Sequence, residues 1–118
     1  MRREPSFLKD ILAACIKIES IVEGSTEETF LADEIRTAAV LHHLTVIGEA
    51  IGRLSPPLLQ RYPEVPWRQI VAVRHRISHA YFDLDWQILW NSAIGDIPAL
   101  RRQVLHILQS EFPEADAD

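Results

Sequence analysis

Apolar residues Phe7, Ile11, Ala14, Ile18 and Ile21 recur at intervals of three and four, the period of a single buried helical stripe. The pattern predicts a first helix from about Ser6, ended by Gly24. The polar connector GSTEET then offers Ser25 and Thr26 as cap residues for a second, longer helix running to about Leu54. Along that helix Val40, Leu44, Ile47, Ile51 and Leu54 form one stripe, while Ile35, Ala38, Val46 and Ala50 line the far side. A helix apolar on both sides is expected to be sandwiched between neighbours.

Ser55-Pro56-Pro57 stops the second helix, and the stretch through Tyr62-Pro63 and Val65-Pro66 leaves room for only a short helical turn. A third helix is predicted from Trp67 to Phe82 and a fourth after Asp83, a good cap. In the fourth, helical period persists from Trp86 through Leu89, Trp90, Ala93, Ile97, Leu100, Val104, Ile107 and Leu108. Gly95 and Pro98 should bend or interrupt it, since proline removes a hydrogen-bond donor. The acidic tail PEADAD is expected to fray. With no sustained two-residue alternation and no repeat, the expectation is an all-α, antiparallel four-helix bundle with a short extra helical turn between helices two and three. At 118 residues it should be one domain, spanning 1–118.

Composition narrows the function. A formal net charge of -5 argues against coating nucleic acid through bulk charge, so any such contact must be local. Lys9 and Lys17 are the only lysines and arginine supplies the remaining cations; arginine is the better fork for a phosphate or carboxylate. Cys15 is the only cysteine, which excludes an internal disulfide and a thiolate metal site built on several cysteines. No signal-peptide pattern and no run of membrane-spanning length is present, and a cytoplasmic location is the default expectation.

The chemistry concentrates in VAVRHRISHAYF, residues 71–82. On a helical wheel Ile70, Val73, Ile77 and Tyr81 share one face with Arg74 at its edge, while His75 and His79, with Arg76 beside them, fall on the other. Arg74 and His79 are separated by about 140° on an ideal helix, so they cannot both point straight at one small target. Either the helix ends near His79, or something else completes the site; a second copy of the helix across a two-fold axis would do so.

Arg74, four residues, His79, one residue, Tyr81 matches the R-x-x-x-x-H-x-Y signature, and the chain here resembles the HepT-like branch of the HEPN superfamily. FLKDIL near the start, VIGEAIGRLS at 46–55, PEVPWRQIVAVRHRISHAYFDLD at 63–85 and ILW at 88–90 are similar to that family in the same order. One departure is His75, where this branch most often has asparagine. The resemblance implies an RNA-cleaving toxin that needs no metal or other cofactor, with its active groove formed between the two protomers of a homodimer. It further implies a partner, a minimal nucleotidyltransferase antitoxin (MntA-like) that modifies Tyr81 with AMP. Arg74 and His79 then become the catalytic pair, with His75, Arg76 and Glu49 as candidate supporting or substrate-binding residues.

Plainer readings stand beside these. His75 and His79 taken alone could form a solvated polar face. Their four-residue spacing also serves paired zinc ligands, but no third ligand and no metalloprotease glutamate accompany them. His42 and His43 read as packing or surface residues. Glu49, on a helix expected to be sandwiched, would pair a buried arginine or imidazole, or else orient a motif residue. Trp67, Trp86 and Trp90 could stack on bases, yet their spacing favours core or dimer packing. The alternative function is a non-catalytic helical module that binds a nucleotide or a partner through the same groove. A purely structural bundle, its arginine and histidine paired with carboxylates, is a third.

Overall fold

The computed structural model describes the backbone of residues 3–79 and 86–116 and the side chains of residues 3–73 and 86–114. The burial expected of Ile77 and Tyr81 and the cap expected of Asp83 fall outside those described residues. Every regular element described is helical: α1 (Glu4–Val22), α2 (Glu27–Leu31), α3 (Glu34–Gly52), α4 (Pro56–Arg61), α5 (Trp67–His79), α6 (Trp86–Asn91), a π-helical turn (Ser92–Asp96), α7 (Ile97–Glu111) and α8 (Pro113–Asp116). Four long rods, α1, α3, α5 and the α6–α7 unit, make a helical bundle, and α4 is the expected short turn before the third rod.

Local chemistry explains the boundaries. α1 opens with Pro5 in its first turn, where no amide donor is required, and terminates at Gly24 with a φ of 76°. The single long second helix expected from the sequence is in fact two. Thr26 caps α2 through a reciprocal box with Thr29, and Asp33 restarts the chain as α3 by accepting from the amides of Ile35 and Arg36, both at 3.1 Å. Two caps seven residues apart outcompete one continuous helix. Gly95 and Pro98 do interrupt the last rod, as the π turn just before α7. In the tail, Pro113–Asp116 form a short helical turn.

The direction of packing follows from contacts at opposite ends. The Glu4 carboxylate accepts from the Ser55 amide at 2.6 Å, and Arg36 donates to the Ile21 carbonyl at 3.0 Å and to the Ser25 hydroxyl at 2.7 Å. The start of α1 thus meets the end of α3, and the end of α1 meets its start: the two are antiparallel. Likewise Arg101, near the start of α7, pairs with Glu19 near the end of α1 at 2.6 Å. Arg61 on α4 forks onto Glu111 at the end of α7, at 2.6 and 3.1 Å, and its guanidinium holds the Glu111 carboxyl below the usual range. Both pairs are partly exposed, so solvent screens them and each contributes little to stability.

The core is the expected stripe with additions. Leu8, Ile11, Ala14, Cys15 and Ile18 of α1 meet Val40, Leu44, Ile47 and Ile51 of α3, and Leu89, Ile97, Leu100, Val104 and Ile107 close the far wall. Phe7 and Ile21 are only partly buried, packed against its margin. Trp67 and Trp90 are each 8% exposed; the Trp67 indole donates to the Tyr62 carbonyl at 3.2 Å and Trp90 packs on Phe30 with ring centroids 5.3 Å apart. Core packing, the reading favoured by their spacing, therefore holds for these two. α3 is flanked by α1 and α5, as a helix apolar on two sides is expected to be. Its far stripe is covered unevenly: Ala50 is buried and Val46 partly so, but Ile35 is 83% exposed and Ala38 is also exposed.

Two expected outcomes follow. Asp33→Ala removes the acceptor for two amides and should cost about 1 kcal/mol, read as a fall of about 4 °C in Tm by calorimetry. Burial, with a smaller push from Glu19, raises the Cys15 thiol to about 12, so it should resist thiol reagents at pH 8 in the native protein and react at once in denaturant. The unfolded thiol ionises at a lower pH than the folded one, so the stability this group contributes is intact below about pH 8.5 and declines as pH rises toward 12; Cys15→Ala should flatten that part of the alkaline profile.

Candidate functional site

Arg74, His75, Arg76 and His79 lie on α5, whose backbone is helical from Trp67 through His79. The helix starts where Pro66 fixes the chain: the Trp67 amide turns back to the Val65 carbonyl at 2.8 Å and the Ile70 amide to Pro66 at 3.1 Å. Ile70 and Val73 are buried and α5 packs along α3, which anchors the first half of the helix. On one unbroken helix, residues 74 and 79 are separated by about 7.5 Å along the axis and by roughly 140° around it. The two residues thus share one continuous helix. The side chains of Arg74, His75, Arg76 and His79, and Tyr81 altogether, lie outside the described residues.

Glu49 is described in full. It is exposed on α3 and needs no buried partner, contrary to the expectation drawn from a sandwiched helix. It lines an open groove of about 930 Å³ between α1 and α3, together with Phe7, Asp10, Val46, Ala50, Gly52 and Arg53. The floor is apolar and the rim carries both signs of charge. Asp10 and Arg53 were not singled out by sequence, although the antiparallel register of α1 on α3 brings them to the same groove. Only that register, invisible in either helix alone, joins them.

Higher on the same pair of helices, His42 is exposed and His43 half-buried, their rings edge to face with centroids 5.1 Å apart. This agrees with the reading of both as packing or surface residues. The His43 ring is held below its ordinary pKa, first by burial and then by His42 and Lys17. Among the described residues no group of three histidine, cysteine or carboxylate side chains is placed to hold a metal ion, and no helix is long and apolar enough to cross a membrane.

The model of the family described as Ribonuclease HepT-like matches residues 11–107. A Caldanaerobacter subterraneus subsp. tengcongensis protein, provisionally named as an RNase, is 33% identical over 111 residues, covering 94% of this chain and 99% of its own. The "Probable ribonuclease HepT" of Thermococcus cleftensis is 35% identical over 100 residues, covering 85% of this chain and 91% of its own. A Methanocaldococcus jannaschii protein, also provisionally named as an RNase, is 32% identical over 104 residues, covering 88% and 86%. No solved structure is a significant match. An all-helical bundle, a helix that carries Arg74 and His79 without interruption, and a family match spanning both residues lead to one conclusion: the chain belongs to the Ribonuclease HepT-like family.

Proposed function

We propose that this chain, acting as a single domain over residues 1–118, is a metal-independent endoribonuclease toxin that cuts RNA in a groove shared by two protomers in the cytoplasm. The observation that carries the reading is the coincidence of family membership with the R-x-x-x-x-H-x-Y signature, whose Arg74 and His79 lie on one continuous helix. The relatives' RNase names support the same substrate class.

The residues suit the chemistry. The 2′-oxygen of RNA attacks the adjacent phosphorus while its proton goes to a base; the bond to the 5′-oxygen breaks, and that oxygen takes a proton from an acid. A cyclic phosphate and a 5′-hydroxyl result. Imidazole titrates near neutrality, so His79 from one protomer serves as base and His79 from its mate as acid. Arg74 grips the phosphate through its fork and stabilises the charge that builds on the phosphorane. The angular separation of Arg74 and His79 on one helix favours completion of the site by a second copy. His75 and Arg76 guide the RNA backbone, and Glu49 supports the site from α3.

Neutralisation is assigned to a minimal nucleotidyltransferase antitoxin. The Tyr81 phenolic oxygen forms a bond to the α-phosphorus of ATP, pyrophosphate leaves, and the phenol's proton passes to solvent or to a base of the antitoxin. The AMP so attached sets a phosphate where the RNA phosphate binds, blocking it by charge and bulk.

Purified protein should cut single-stranded RNA in the presence of a chelator. His79→Ala should lower that rate by roughly 10²–10⁴-fold with an unchanged helical circular-dichroism spectrum; cleavage that survives the substitution removes His79 from the mechanism. Co-expression with a minimal nucleotidyltransferase antitoxin should add the mass of one or more AMP groups at Tyr81, located by peptide mass spectrometry. A chain that dimerises and takes AMP yet cuts no RNA would be the non-catalytic module instead.

A further inference from the structure

α1 and α3 are pinned at both ends, Glu4 against Ser55 and Ile21 against Arg36. That register sets Lys17 of α1 level with His42 and His43 of α3. Lys17 and His42 are exposed, His43 is half-buried, and the two rings stand edge to face at 5.1 Å. Among the described residues, the charged groups that act on the His43 ring are His42 and Lys17, each a proton carrier. Three such groups in one patch repel one another as they charge, an arrangement that an anion relieves. A cation is a poorer fit, because lysine carries no lone pair at neutral pH and the two imidazoles alone fall short of a metal ligand set. In a chain of net charge -5 such a patch is local, as a contact with a polyanion here has to be.

We propose that Lys17, His42 and His43 form a phosphate-binding patch on the α1–α3 surface that holds the RNA backbone away from the cleavage site. The assignment of RNA as the ligand rests on the function proposed above. α1 and α5 both pack on α3, so a strand held here and cut at α5 crosses about the width of one helix, on the order of 10 Å. Bound phosphate favours the protonated ring, so capture strengthens as pH falls toward the His43 midpoint, itself below the ordinary histidine value in the free protein.

The test uses the full-length protein and a single-stranded DNA oligonucleotide, which lacks the 2′-OH and cannot be cut. NMR titration of the imidazoles should show the His43 midpoint rising by about half a pH unit or more when the oligonucleotide is added. Lys17→Gln should raise the midpoint of the free protein, reduce the oligonucleotide-induced rise, and shrink the slope of log affinity against log salt by about 1. It should also cost more kcat/KM on a long RNA than on a dinucleotide. An unmoved His43 midpoint overturns the proposal, and a response to inorganic phosphate but not to the oligonucleotide overturns its RNA assignment. Failure of the catalytic reading is separable, since it appears as cleavage by His79→Ala while the His43 response persists.

Discussion

The antiparallel register between α1 and α3 is the constraint on which the other placements depend. It is fixed by two hydrogen-bonded clamps, the Glu4 carboxylate on the Ser55 amide and the Arg36 guanidinium on the Ile21 carbonyl, with the stripe of Leu8, Ile11, Cys15 and Ile18 packed between them. The clamps set direction and level; burial supplies most of the free energy, because apolar area removed from water outweighs a few partly exposed polar contacts. Slide α1 by one turn and Asp10 leaves the groove of Glu49 and Arg53, while Lys17 leaves the level of His42. The Glu4 clamp does a second job, since Ser55 is also the cap of α4 and α4 leads into α5. The entry point of the motif helix is thereby tied to the first turn of the chain.

Much of this was legible in the sequence. The three-and-four spacing identified the α1 and α3 stripes, the prolines between Pro56 and Pro66 located the α4 turn, and Gly95 with Pro98 announced an interruption that takes the form of a π turn. The break between α2 and α3 was not legible, since no glycine or proline marks it and the capping by Asp33 competes with helix continuation on nearly equal terms. Nor was the exposure of Glu49. A helical wheel reports that α3 is apolar on two sides, but how many neighbours surround it depends on tertiary packing, and Ile35 is left open.

The candidate site divides in the same way. Arg74, His79 and Tyr81 could be picked out because a spacing within one element is a one-dimensional signal. Asp10, Arg53 and the Lys17 patch could not, because each needs the pairing of two helices far apart in sequence. The α5 backbone adds one physical point to the signature: positions 74 and 79 lie on one uninterrupted helix.

The ion pair of Arg101 with Glu19 spans 82 positions of the chain, and its neighbours Leu100 and Val104 complete the wall against which α1 is buried. During synthesis α1 and α3 leave the ribosome early, with a greasy surface that nothing yet covers. The bundle shuts only when α7 arrives, so the nascent chain passes through a long window of exposure to chaperones and proteases, and its maturation is governed by the last rod and not the first.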